Sequence, residues 1–132
     1  MPYKSIEERR KHRMDYYYKH REDSILKMRK YHRGYIKNLK INVVAHYSKN
    51  KNVCSCCGES EIDFLTIDHI NNDGAEHRRL IKRRNIYSWL ITNNYPDNFQ
   101  ILCMNCNFAK GHRQDKTCPH MLKNALKSSD FT

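Results

Sequence analysis

Phe99-Gln100-Ile101-Leu102-Cys103-Met104-Asn105-Cys106 reads as a short apolar strand that runs directly into a pair of cysteines. A second pair with the same two-residue gap lies upstream in Cys54-Ser55-Cys56-Cys57-Gly58. It is followed by another apolar run, Phe64-Leu65-Thr66-Ile67, which reads as a strand ending at Asp68-His69. Two such turns each present two thiolates from one tight loop, and four thiolates complete the tetrahedron that zinc prefers. The expectation is a structural Zn2+ held by Cys54, Cys57, Cys103 and Cys106, stapling the end of one strand to the turn before the other. Four cysteinates leave no open position for water or substrate, so this metal is expected to serve folding. Cys56 and Cys118 are left over: Cys56 could replace a neighbour in the first turn, although the glycine after Cys57 favours Cys54 and Cys57, and Cys118 is read as a free thiol. A further site built from Cys118, His120 and His112 is the alternative use for the second.

Between the two strands, Leu80, Ile81, Tyr87, Leu90 and Ile91 recur at three- and four-residue spacing. This predicts one helix over Ala75 to Asn93, ended by Asn93-Asn94-Tyr95-Pro96. A short helix is expected from Asn105 to Lys110, stopping at Gly111. The fold class is α+β: a small zinc-bound module of two strands and a helix with a helical insert between the strands, preceded by a basic helical N-terminal extension.

Charge divides the chain in two. Of the formal net charge of +11, residues 1–52 hold +10, with 15 Lys and Arg against 5 acids. Seven of the nine tyrosines (Tyr3, Tyr16, Tyr17, Tyr18, Tyr31, Tyr35 and Tyr47) lie in the same segment, and all six cysteines lie outside it. The expected domains are 1–52, 53–120 and a tail over 121–132. From Met14 to Tyr47 there is no proline and sparse apolar residues fall at helical spacing, with Gly34 as the expected hinge. Ile36, Leu39, Val43 and Tyr47 are expected to cover the module behind it. The apolar stripe is too narrow to stabilise the remainder alone, so it should order on a partner. No apolar run approaches the roughly 18 residues of a membrane span, and the start lacks the apolar stretch of a secretory signal. Membrane association and export are therefore not expected. Excess Lys and Arg interleaved with tyrosine point to a polyanion, with salt-sensitive affinity.

Taken together, Leu65-Thr66-Ile67-Asp68-His69-Ile70, Pro96-Asp97-Asn98-Phe99-Gln100-Ile101-Leu102-Cys103 and Cys106-Asn107-Phe108-Ala109-Lys110-Gly111 resemble the HNH, or ββα-metal (His-Me finger), endonucleases. The likeness is to the zinc-stapled phage-type members, covers about residues 53–120, and rests on the order of its motifs. One departure is Asn107 where that family often has histidine.

The resemblance implies a phosphodiester hydrolase acting on double-stranded or branched DNA and leaving 5′-phosphate and 3′-hydroxyl ends. His69 would be the general base, Asp68 and Asn107 would hold a catalytic Mg2+ or Mn2+ through oxygen, and Asn98 would brace the loop carrying His69. A regular strand would point Asp68 and His69 to opposite faces, so the strand is expected to end or bulge there before Asn71-Asn72-Asp73-Gly74. Lys110, Arg113, Arg78 and Arg79 are the expected phosphate contacts of the module, and Lys27, Arg29, Lys30 and Arg33 those of the extension. Trp89, at helical spacing, is expected in the core. The helical extension is also compatible with a homodimer, and the expected compartment is the cytoplasm of a bacterial host cell. From a different class, the alternative is a non-catalytic zinc-ribbon DNA-binding protein in which Asp68 and His69 are turn residues.

Overall fold

A computed structural model describes residues 4–129, so Tyr3 and residues 130–132 of the expected tail lie outside the described residues. The chain forms two compact units, one up to Lys37 and one from Asn38 onward.

Helix α1 spans Ile6–Tyr47. At its start, Ser5 Oγ accepts from Glu8 N (3.1 Å) and the Glu8 carboxylate accepts from Lys4 N (2.8 Å), which satisfies two amides that have no partner within the helix. As far as Lys37 the helix is almost entirely exposed, including Tyr16, Tyr17, Tyr18, Tyr31 and Tyr35. The hinge expected at Gly34 does not occur, and the helix continues through it. A helical glycine costs only about 1 kcal/mol, too little to interrupt a run of good helix formers.

The second unit begins earlier than the expected boundary near residue 52, because the last ten residues of α1 belong to it. Val43 and Val44 are fully buried. The Tyr47 hydroxyl donates to the Pro96 carbonyl at 2.6 Å, and burial followed by the Asp97 charge pushes its pKa up to about 12.

Strands β1 (Leu65–His69) and β2 (Phe99–Cys103) form a two-stranded antiparallel sheet. Leu65 lies opposite Cys103, Asp68 opposite Gln100, and His69 opposite Phe99. The ladder is regular through its last pair, and β1 ends at His69 without a bulge, the first of the two expected outcomes. Helix α4 (Met104–His112) follows β2 directly, and the Cys103 thiol accepts from Cys106 N at 3.5 Å as its N-cap. It packs on both strands and continues through Gly111, past the expected stop. Helix α5 (Pro119–Ser129) closes the described chain.

The expected single insert helix is two, α2 (Gly74–Ile81) and α3 (Ile86–Thr92). Lys82 takes a left-handed φ of 57°, and the Asn85 side chain then caps the new start by accepting from Tyr87 N (3.0 Å) and Ser88 N (3.2 Å). An asparagine cap is worth about 1 kcal/mol, enough to favour restarting the helix over continuing through four polar residues.

The core is small and sulfur-rich: Val44, Leu65, Ile101 and Leu102 are buried with Cys54, Cys103, Cys106 and Cys118. Trp89 is half-buried, edge-on to His77 at 4.3 Å. Among the described residues no helix is long and apolar enough to cross a membrane. Leu102 is fully buried in this core, so Leu102→Ala should destabilise the metal-loaded protein by roughly 2–5 kcal/mol. Urea unfolding followed by circular dichroism should show a lower midpoint with an unchanged slope.

Candidate metal centre and active site

The knuckle that carries the first cysteine pair is a tight turn. Gly58 N donates to the Cys54 carbonyl at 3.0 Å, Cys54 N to the Glu59 carbonyl at 2.8 Å, and Gly58 sits at φ +81°, a conformation that favours glycine. Ser55 N donates to the Ile101 carbonyl at 2.9 Å, which fixes the knuckle against β2. The thiols of Cys54, Cys57, Cys103 and Cys106 thereby converge to within 4.8 Å of one another. The Cys57 and Cys103 sulfurs are 3.6 Å apart, close to the roughly 3.8 Å edge of a tetrahedron with about 2.3 Å zinc–sulfur bonds.

The donor set fits a metal such as zinc. Burial pushes the Cys54 thiol up, but backbone N–H groups at Cys57, Cys103 and Cys56 outweigh it and bring the pKa down to about 7. At Cys106, burial and then the surrounding thiols of Cys103, Cys118, Cys57 and Cys56 all push the pKa upward, a direction that a bound cation would oppose.

At the other end of the ladder, β1 and α4 bring together the residues that the sequence singles out. Asp68 is 8% exposed. Its Oδ2 accepts from Lys110 Nζ (2.5 Å) and from Gln100 Nε2 (2.8 Å), and the Lys110 ammonium also donates to the His69 carbonyl at 2.8 Å. Asn107 Nδ2 donates to Thr66 Oγ1 (2.9 Å), while the Thr66 hydroxyl donates to the Leu102 carbonyl at 3.0 Å. Asn107 is thus held against β1 with its amide oxygen remaining as an acceptor.

The His69 imidazole leaves the opposite side of the strand and meets helix α2. His69 Nε2 and His77 Nδ1 are 2.9 Å apart, and the His69 ring packs on Phe99 at 4.8 Å. Burial, then the charge of His77, lowers the His69 pKa against the opposing pull of Asp73 and Asp68, which favours the neutral ring. Its Nδ1 faces Gly74, where a Cβ would come within 3.1 Å, so glycine is what gives this nitrogen room. Asn98 is the residue whose carbonyl accepts from Ile70 N at 2.9 Å, at a left-handed φ of 77°, and this bond closes the turn after His69.

Although Asp68 and His69 leave opposite faces, both line one cleft of about 940 Å3 together with Asn107. Its rim carries Arg78, Lys82, Arg83, Arg84 and Lys116. Arg79 is exposed but does not line the cleft. Two of the expected phosphate contacts are otherwise engaged. Lys110 is 6% exposed and spends its ammonium inside the molecule, and Arg113 forms a two-bond pair with Asp115 at 3.0 and 2.8 Å. Lys27, Arg29, Lys30 and Arg33 are exposed on α1 in the first unit.

Three partners are not apparent from the sequence: Lys110 as a clamp, Gln100 beside Asp68, and His77 as the mate of His69. The first could have been found from its place one helical turn after Asn107, which puts both on the face turned to β1. Comparison with protein-family models, curated proteins and solved structures finds no match for this chain.

The Asp68–Lys110 pair is buried, with side chains 9% and 8% exposed. Removing one partner of such a pair strands a charge and typically costs about 3–5 kcal/mol. Lys110→Met should therefore be strongly destabilising, and adding Asp68→Asn should recover much of that stability. Chemical denaturation of the single and double variants checks this.

Proposed function

We propose that the chain is a divalent-metal-dependent DNA endonuclease of the HNH type that hydrolyses phosphodiester bonds to 5′-phosphate and 3′-hydroxyl ends. The observation that carries this reading is the cleft, where a histidine, a carboxylate and an amide lie behind a rim of five cationic side chains. A phosphate entering it meets Arg78, Lys82, Arg83, Arg84 and Lys116. His69 Nε2 pairs with His77 Nδ1 at 2.9 Å, and in the tautomer in which Nε2 carries the hydrogen the Nδ1 lone pair would take the proton of an attacking water. His77 and Phe99 hold the ring in place. Asp68 and Asn107 are the oxygen donors for a hard ion such as Mg2+ or Mn2+, which when bound would stabilise charge on the phosphorus centre and on the leaving oxygen. Lys110 competes for the same carboxylate and keeps it compensated in the metal-free protein.

The Asp68–Lys110 ion pair also favours a second reading, a zinc-dependent DNA-binding module in which Asp68 has a structural purpose only. Cleavage of supercoiled, linear and branched DNA with Mg2+, Mn2+ or chelator separates the two. His69→Ala should lower single-turnover cleavage on the order of 10²- to 10⁴-fold while leaving DNA affinity nearly unchanged. DNA binding without any cleavage in Mg2+ or Mn2+ would support the second reading, and cleavage at the wild-type rate in His69→Ala would remove His69 from the chemistry.

The helix up to Lys37 is proposed to add non-specific phosphate contacts, since residues 1–37 carry twelve Lys and Arg against five acids and almost all of the helix is exposed. A chain beginning at Asn38 keeps Val43, Val44 and Tyr47 for the core. It should bind DNA more weakly, and its slope of log affinity against log salt should shrink by roughly 0.9 for each phosphate that the helix no longer neutralises. Fluorescence anisotropy across a salt series measures both.

A further inference from the structure

Cys56, Cys118 and His120 have no part in the four-thiol metal centre, yet they surround one of its ligands. Cys118 is 2% exposed and lies just before α5. Its sulfur is 3.6 Å from His120 Nδ1, and the same ring nitrogen is 3.4 Å from the Cys106 sulfur. The Cys56 thiol lies within 4.8 Å of those of Cys118 and Cys106. All four donor atoms lie within 4.8 Å of one another. His112, which the sequence offers as a partner for this group, is not in it: its Nδ1 lies 2.9 Å from the Phe108 carbonyl and its ring stacks on Phe108.

We propose that the knuckle is a two-metal cluster, in which one Zn2+ is held by Cys54, Cys57, Cys103 and Cys106 and a second by Cys56, Cys118, His120 and the same Cys106 thiolate, which bridges the two ions. The geometry meets the requirements of each ion. Bonds of about 2.3 Å to sulfur and about 2.0–2.1 Å to imidazole nitrogen set a sulfur–nitrogen edge of roughly 3.6 Å in a tetrahedron, close to both observed separations. Each ion then has four donors, so both sites are closed and structural.

The charges also balance. Every coordinating thiol releases its proton to solvent and His120 binds as the neutral imidazole through Nδ1. The second dication is offset by the two thiolates it adds, so the cluster's net charge is the same as with one ion. Cys106, the most crowded thiol, is the one sulfur in both sets, and its lone pairs allow two metal bonds.

The second ion would have a structural purpose in anchoring α5. Met121, Leu122 and Leu126 on α5 are all exposed, so this helix has little apolar burial to hold it. Coordination by Cys118 and His120 would tie its first turn to the knuckle and to α4.

Metal content and cadmium substitution of the full chain test the proposal. Zinc-saturated protein, freed of excess ion by gel filtration, should contain two zinc ions per chain by elemental analysis and native mass spectrometry. The Cys118→Ser/His120→Ala double variant should contain one and keep the wild-type amide shifts of β1 and β2 in a 15N-correlated NMR spectrum. The 113Cd-loaded wild type needs no variant to fold. It should give two resonances, the all-sulfur site at lower field, split by mutual coupling through the shared sulfur. One zinc per wild-type chain, two in the double variant, or two uncoupled cadmium resonances would overturn the bridged cluster.

Discussion

A convergence of thiols at one end of a two-stranded ladder is the constraint on which the second unit depends. The buried apolar residues are few, and half of the central cluster is cysteine. Thiols packed together without a cation gain little, because burial and then the neighbouring thiols push the ionisation of a crowded member upward, as at Cys106. A tetrahedral cation would turn that crowding into four strong bonds, and for so small a core metal binding would be a large part of folding. The knuckle, β2 and α4 then follow, since Cys103 is at once the last residue of the strand, the N-cap of the helix and a donor in the cluster.

From this anchored end the sheet carries order to the cleft. Leu65 opposite Cys103 fixes the register, and three residues along β1 the same register puts Asp68 against Gln100. The buried ion pair with Lys110 then ties α4 to the strand that bears the candidate base. Lys110 reaches both the Asp68 carboxylate and the His69 carbonyl, so one ammonium orients two successive residues. The same cation that keeps the carboxylate compensated thus places the backbone of its neighbour.

Much of this was legible in the sequence because it is periodic or regularly spaced. The two strands, the cysteine set and the end of the insert at Asn93 come from alternation, from the gap between cysteines and from turn residues. The insert's division into two helices was not legible from periodicity, because Leu80, Ile81, Tyr87 and Leu90 keep one helical spacing across the break. The break is made by a left-handed Lys82 and an asparagine cap, both local backbone effects. Partners fixed only by tertiary contact were also hidden. His77 lies eight residues from His69, and only the turn at Asn71 to Asp73 folds one ring onto the other. Lys110 and Arg113 look alike as surface cations, yet the first is buried on Asp68 and the second is paired with Asp115.

The bond from Ile70 N to the Asn98 carbonyl closes the ladder where the insert leaves and returns. Because both ends of the insert are pinned there, its length is mechanically decoupled from the sheet. Residues added or removed between Lys82 and Asn85 would reshape the cationic rim while leaving the strand pairing untouched. The same change inside β1 would shift the register, turn Asp68 away from Lys110 and draw Leu65 off the cysteine cluster. The module therefore has one segment in which the cleft surface can be rebuilt without disturbing the sheet, and one five-residue strand in which an insertion would break the register.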